Sequence, residues 1–492
     1  MVGERFYKMG KCKKVVPLEE GHNQPRVPLN NNYYNLFEGE VKMWKVNLAK
    51  KYGIYGFCMH RYWFDGKLFT LYKYFERTLE KAKNVYKKDY MFVFSWNEWA
   101  EGGHLESDEK KGYGYLEAIN VHLKDVENRK KMNTTKLIAF HFPQFHTIPE
   151  NDEWWGEGFT DWVNVKKAKS LYNTHNQPRV PLNNNYYDLS DVEAMRWQSE
   201  LAKEYGVYGF CYYHYWFGGK LLLQKPLENL LKEKDIDFPF CLCWANETWC
   251  RTWDGGTRNV LIKQEYGGEK EWKEHFEYLK DFFLDSRYIR VDNKPVIVIY
   301  RSGDCECFNE MIACWRELCP QYGIDDLYVI DERNGFKQSD NKQSDALLDF
   351  EPFYSLWIER SFKNKVIERI RTEFFRLIRR NTLHYYSYDN LWKSIINRDY
   401  SRVNKKIYTG AFVDWDNTPR RKKGGIVVEG ASPEKFAFYL EKQLKRANSI
   451  GNEFVFINAW NEWAEGTYLE PDEKNEYKYL NAIQQIVREL EK

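Results

Sequence analysis

The 492-residue chain is too long for one minimal domain, although a barrel-type domain of about 250 residues or more, with insertions, could occupy most of it. Its 74 basic residues against 72 acidic ones give no global field for nucleic acid, so any anionic partner must be met locally. Aromatic residues make up 17% of the chain, many beside Asn, Glu and Asp, a mixture that suits sugars: their C–H faces stack on rings while their hydroxyls need fixed polar partners.

The chain starts MVGERFYKMGKCKK, with no apolar signal-like run, and no stretch approaches the ~18 uninterrupted apolar residues of a spanning helix, so a cytoplasmic location is expected. Two strands follow, YGIYGFCMHRYWF and YMFVFSWNEW, with a helix between them and one after. This front part is a repeat. His22–Tyr34 (HNQPRVPLNNNYY) recurs unchanged at His175–Tyr187, and Trp96–Gly102 (WNEWAEG) recurs at Trp460–Gly466. The offset grows from 153 to 364 residues, so a copy that lacks its middle precedes a complete one. Residues 1–130 are expected to be an inactive repeat: two strands cannot close a barrel, and Tyr213 and His214 are replaced there by His60 and Arg61. Glu98 and Glu101 repeat the paired acids without the other walls of a cleft.

From Lys136 onward, short apolar runs alternate with helical patterns. The strand runs are 137–143, 206–217, 238–247, 294–301, 326–332, 346–353, 406–416 and 454–463. Helical periodicity falls at 190–205, 221–234, 270–284, 308–322, 361–397, 432–449 and from Glu473. Each strand run begins apolar and ends polar or aromatic. In a (β/α)8 barrel such endings share one face, so the expected fold is a TIM-like α/β barrel over 136–492. A doubly wound sheet is the rival, but it would want a Gly-rich turn after the first strand, where HFPQFH stands. Cys211, Cys241 and Cys243 lie in strand-like runs and read as small buried hydrophobes. Cys305, Cys307, Cys314 and Cys319 lack a C-x-x-C pair or spaced His, so no metal or other cofactor is expected.

The insertion 361–397 is basic and amphipathic. A helix packed on the barrel with a solvated face is the preferred reading, and a helix lying on a membrane surface, peripheral to the inner membrane, is the sharper one. Glu462 and Glu465 stand three residues apart at the end of the last strand run, between Trp460 and Trp463. Two carboxylates held together in an aromatic pocket have their pKa values pushed apart, an arrangement that serves acid/base work at a glycosidic bond.

The strings NEWAEGTYLEPD, FHFPQFHTIPENDEWWGEGFTDW, HNQPRVPL, YGFCYYHYWF, WANETWCRTWDG and DWDNTPRR together resemble the WbsX-type family, described as glycosyltransferases of bacterial surface-polysaccharide loci and as glycoside hydrolase family 99-like domains. The resemblance covers 136–492 and parts of 11–127. It implies a (β/α)8 barrel, and from the family 99 hydrolases it implies retaining cleavage of internal α-mannosidic bonds. By the same resemblance Glu462 is the base that draws the proton from the sugar 2-hydroxyl, whose oxygen becomes the internal nucleophile, and Glu465 is the general acid. Ala464 departs from the His of those hydrolases, which puts leaving-group contacts in doubt.

Further substrate-binding candidates are His141 and His146 after the first strand, Tyr212 and His214 on the second, and Asn246, Glu247, Arg251, Trp253 and Asp254 after the third. Asp414 and Asp416, with Arg420 near them, and Trp460, Asn461 and Trp463 complete the set; Arg179 and Asn183–Asn185 read as loop-ordering groups. The expected activity is making or breaking a glycosidic bond in O-antigen, lipopolysaccharide or capsule synthesis. Its partner would be an oligosaccharide or polysaccharide, with a nucleotide-sugar donor if it is a transferase. The alternatives are an endo-mannosidase-like trimming enzyme and a sugar-binding protein that has lost its chemistry.

Overall fold

Eight runs rich in β-branched, aromatic and cysteine residues form the strands of one closed sheet: β1 (Lys136–His141), β2 (Gly209–Phe217), β3 (Phe240–Trp244), β4 (Lys294–Ile299), β5 (Tyr328–Arg333), β6 (Ala346–Asp349), β7 (Lys406–Phe412) and β8 (Phe454–Asn458). In this computed structural model each strand pairs in parallel with the next in sequence, for example Phe140 with Cys211 and Cys243 with Val298. The ring closes where β8 meets β1, Ile457 opposite Ala139. The fold is a (β/α)8 barrel. The structure describes residues 135–251, 259–337, 342–358, 362–421 and 424–490. In the front part it describes 27–31, 39–51, 54, 63–64, 67–68, 96–98, 103–110, 112–113 and 116–117.

The helices are α1 (Pro149–Trp155), α2 (Trp162–Lys167), α3 (Val192–Glu204), α4 (Lys225–Lys232), α5 (Glu269–Phe283), α6 (Phe308–Leu318), α7 (Phe353–Trp357), α8 (Phe362–Arg379), α9 (Tyr388–Ile396), α10 (Pro433–Ser449) and α11 (Lys478–Leu490). Capping follows the sequence: Asp191, Ser387 and Ser432 accept from the first-turn amides of α3, α9 and α10. The helix expected over 361–397 is two helices. Arg380 adopts φ 51° after α8, and His384–Ser387 forms a strand beside Ile426–Glu429 before Ser387 caps α9.

Strand runs expected to reach 416 and 463 end at Phe412 and Asn458, because the polar residues beyond belong to loops at the barrel mouth. Side-chain parity inside the barrel is set by β1 and β2, whose successive residues point to opposite faces. Phe140 stacks on Tyr213 and meets Phe350 edge-on inside the ring. His141, Tyr212, His214 and Trp216 take the other parity, toward α3 and α5. Cys211, Cys241 and Cys243 are buried in the strands.

Residues 1–132 form a separate unit from 133–492. Within it Leu48 of helix Gly39–Lys51 and Leu116 pack with Trp44, Trp96 and Leu105. Asn97–Glu98 pairs with Gly103–His104 in a hairpin, and Lys45 forms a buried ion pair with Glu106 at 2.8 Å. Most of the two strands expected there, with His60, Arg61 and Glu101, lies outside the described residues.

Candidate active site

Past β8 the chain makes a two-residue hairpin, Asn461–Glu462 against Thr467–Tyr468, around a 3-10 turn over Trp463–Glu465. Gly466 closes the turn at φ +69°, where an added Cβ would lie 2.9 Å from the Asp416 amide nitrogen, so a side chain is excluded by both conformation and space. The hairpin is clamped from three sides. Asn461 bonds the Phe142 amide at 2.7 Å and its carbonyl at 2.9 Å; Asp416 N–H donates to the Glu465 carbonyl at 2.7 Å; and Arg179 donates to the Gly466 carbonyl at 2.9 Å.

The clamp presents Glu462 and Glu465 to one guanidinium. Arg420 Nη2 lies 3.0 Å from Glu462 Oε2 and 2.8 Å from Asp161 Oδ2, and its Nη1 lies 2.7 Å from Glu465 Oε1. The guanidinium also faces the Phe142 ring at 5.0 Å. Three carboxylates thus share one cation in a buried site. Burial pushes the Glu462 carboxyl well above its ordinary range, against the pull of Arg420 and with the help of Glu465 and Asp161. Burial raises Glu465 in the same way, again with Arg420 opposing and Asp161 adding. For Arg420, burial works against charge, but the three acids outweigh it and hold the group firmly protonated. Burial thus shifts both glutamates in the direction that a general acid needs, toward holding a proton. Glu465 is the more open of the two, its side chain 22% exposed against 8% for Glu462.

Asp161 and Arg420 also line a cleft walled by Trp155, Phe159 and Trp249, with Gln144 and Asn164 as polar groups. Aromatic walls with a few amides are the lining a sugar requires. On the neighbouring strand ends, Glu247 pairs with Arg301 at 2.5 Å, and burial raises its carboxyl against that pairing, with Glu465 adding. Glu332, buried and raised by burial, accepts from Asn334 at 3.2 Å. The Tyr213 and Tyr215 hydroxyls are pushed up by burial and, further, by Glu332 and Glu462 respectively.

Several sequence candidates stand elsewhere. His141 Nε2 donates to the Gln198 amide oxygen of α3 at 3.0 Å and is held down to about 4 by burial, and His214 contacts His275 of α5 at 2.8 Å. With Tyr212 they lie in the layer between strands and helices, a correction that follows from strand parity: Tyr213 and Tyr215 face the barrel interior instead. His146 Nδ1 bonds the Pro143 carbonyl at 2.8 Å and serves its own turn. Asn246 is buried and holds the Arg301 backbone and the Tyr266 hydroxyl. Arg251 is exposed beside the cleft and donates to the Trp154 carbonyl at 2.9 Å. Trp253 and Asp254 lie outside the described residues.

Asp414 and Asp416 are anchors rather than ligands for sugar. Asp416 accepts from His175, Gln177 and Thr418 at 2.9, 2.8 and 2.6 Å; the His175 bond, the Arg179 charge and the Thr418 bond overcome burial and hold its carboxyl down at about 2. Asp414 accepts from Arg179 at 2.9 Å. Thus the HNQPR segment, 239 residues from its partner, fixes the loop that carries Arg420. Trp460, Asn461 and Trp463 likewise point away from the cleft: Trp460 packs on Phe210, and Trp463 donates to Glu470 at 2.6 Å and stacks on Tyr468. Glu470 also accepts from Tyr187 and Gln198, and burial raises its carboxyl to about 7. Asp161 and Arg420 were the residues that sequence reasoning undervalued. The signal was present in the FTDW and DWDNTPRR strings, but nothing in their spacing joined them.

A family model described as Glycosyltransferase WbsX matches residues 2–81, 68–119 and 137–483. The uncharacterised protein WxcX of Xanthomonas campestris pv. campestris is 37% identical over 364 residues, 71% of this chain and 49% of that protein. Its counterpart in strain B100 is 36% identical over 363 residues. The chain therefore spans about half the length of these relatives. Among solved structures, the family 99 endo-alpha-mannosidase from Bacteroides thetaiotaomicron aligns over 72% of this chain and 97% of its own, at 15% identity and a TM-score of 0.43. A glycoside hydrolase-like protein aligns over 72% and 94%, at 12% identity and a TM-score of 0.45.

Proposed function

Because this chain belongs to the WbsX glycosyltransferase family, we propose that it makes or breaks a glycosidic bond in a bacterial surface polysaccharide, with Glu462 and Glu465 as the reacting pair. The observation that carries this reading is the cluster of Glu462, Glu465 and Asp161 around Arg420, buried at the mouth of the barrel beside an aromatic cleft. The more open Glu465 is the general acid that protonates the departing oxygen. The deeper Glu462, fixed by Arg420, is the base toward the sugar, in keeping with the family resemblance. Arg420 holds both carboxylates in place and limits the charge that builds up when the acid gives up its proton. Trp155, Phe159 and Trp249 stack on sugar faces, and a nucleotide sugar or an oligosaccharide is the donor. Peripheral contact with the inner membrane through 361–397 completes the proposal.

The test is mass spectrometry of wild type and Glu465→Gln, incubated with pooled nucleotide sugars and pooled oligosaccharides. Acceptor extension with nucleotide release, lost in the variant, makes the protein a transferase; shortening of oligosaccharides, lost in the variant, makes it a glycosidase. Unchanged sugars in both preparations, with equal binding, would overturn the proposal in favour of a sugar-binding protein.

A further inference from the structure

We propose that α8 is a docking surface for an anionic lipid bilayer, laying an apolar stripe on the membrane. One face of this helix is occupied. Thr372 donates to the Tyr385 carbonyl at 3.2 Å, Phe375 packs on the Tyr385 ring, Arg376 donates to the Leu383 carbonyl at 2.8 Å, and Glu368 accepts from Asn390. The opposite face should be polar if it met only water. Instead Val366, Ile367, Ile370, Phe374, Leu377 and Ile378 are between 41% and 79% exposed. At the helical repeat these six fall on a stripe about 120° wide, running along a helix about 27 Å long. Single exposed apolar residues are ordinary, but a continuous stripe of six marks a contact surface.

Charge selects the occupant. From Phe362 to Arg380 the sequence holds seven basic residues and two acidic ones. Arg371 and Arg379 are engaged with Glu429 and Arg376 with Glu373, while the exposed Arg369 borders the stripe on the side where Glu373 also stands and the exposed Arg380 follows at the end of the helix. An apolar face edged by arginine matches acyl chains below anionic headgroups. A second copy of the same helix would set one basic border against another. Just before α8, Trp357 and Ile358 are also exposed, and Trp357 lies against Gly335 in the loop after β5. An exposed tryptophan beside such a stripe suits the headgroup level of a bilayer. Because α8 packs on the strand pair His384–Ser387 and Ile426–Glu429, which lies just past the loop that carries Arg420, docking would bring the mouth of the barrel to the membrane. This deepens the peripheral contact proposed above and does not depend on the sugar chemistry.

The experiment is flotation of the full chain with vesicles of equal parts phosphatidylglycerol and phosphatidylethanolamine, and with phosphatidylcholine alone. Wild type is expected to float with the anionic vesicles and about tenfold less with phosphatidylcholine. Ile370→Glu/Leu377→Glu and Arg369→Glu/Arg380→Glu should each weaken flotation by at least about tenfold, with unchanged melting temperature and unchanged turnover of soluble sugars. Failure of wild type to float, or flotation indifferent to both variants, overturns the proposal and leaves the glycosidic reading intact. So does a concentration-dependent dimer that Ile370→Glu/Leu377→Glu abolishes, which would assign the stripe to a second copy.

Discussion

The same hairpin occurs twice in this molecule, once beside Asp161 and Arg420 and once in a copy whose sequence has no counterpart of the loop that carries Arg420. In the complete copy the Leu469 amide bonds the Trp460 carbonyl at 2.9 Å and the Leu182 amide bonds the Pro471 carbonyl at 3.0 Å; in the front copy Leu105 bonds Trp96 at 2.9 Å and Leu29 bonds Ser107 at 3.0 Å. The pairing register is also shared, Glu462 opposite Thr467 and Glu98 opposite Gly103. What differs is the surroundings. Gln198 donates to Glu470 at 2.7 Å in one copy, and at the equivalent positions Lys45 pairs with Glu106 at 2.8 Å in the other. Burial lowers the Lys45 pKa, with Glu106 opposing, whereas burial of Glu470 leaves a carboxyl near 7. By the offset of 153, Lys8 stands where the complete copy has Asp161, and the front copy has no counterpart of 414–420. The hairpin is therefore coded locally, while the charges that gather around Glu462 and Glu465 come from the barrel.

The widest separation between the copies should be seen in turnover. Glu465→Gln or Glu462→Gln is expected to lower the rate about a hundred- to ten-thousand-fold, while Glu101→Gln leaves it unchanged; a loss in the front variant would sink the idea that this unit is inactive. Next comes Arg420, which has no sequence counterpart in the front copy. Arg420→Met strands three buried carboxylates and should cost about 3–5 kcal/mol in urea unfolding, besides abolishing activity.

The pair beneath the hairpin predicts a pH effect. Glu470 binds its proton more tightly folded than unfolded, so its share of stability is fully present below pH 4.5 and is lost as pH rises through about 7. That share is up to about 3 kcal/mol. Melting temperatures of Glu470→Gln across this window should fall less with pH than those of wild type. Gln198→Lys, which imports the front pairing, should flatten the same slope by keeping Glu470 ionised. At the turn, Gly466→Ala should cost at least about 1–2 kcal/mol in thermal unfolding, which the left-handed conformation carries alone, with the crowded Asp416 backbone adding to it.

The eight strands, and the string that sets Glu462 and Glu465 at the barrel mouth, were legible in sequence because apolar runs and a duplicated acidic string are local signals. Parity was not. In GFCYYHYWF both faces of the strand are buried and aromatic, so nothing distinguishes Tyr213, which faces inward, from Tyr212 and His214, which meet the helices. Asp414 and Asp416 carry a spacing that suggests a ligand site, and only their contacts with Arg179, His175 and Gln177 reveal anchors. Asp161 and Arg420 lie 259 residues apart, and no periodicity links them. The amphipathic pattern of 361–397 was plain as a pattern, yet only the packing of Thr372 and Phe375 told which face was left to water.

The closure of the ring by β8 on β1 sets a clock on the chemistry. During synthesis Asp161 leaves the ribosome some three hundred residues before Glu462, and Arg420 emerges between them. Until Phe454–Asn458 zips onto Lys136–His141, each of the three acids is an ordinary solvated carboxylate and the arginine has nothing to gather. The cluster around Arg420 is thus a late product of synthesis, gathered only when the final seam completes the barrel.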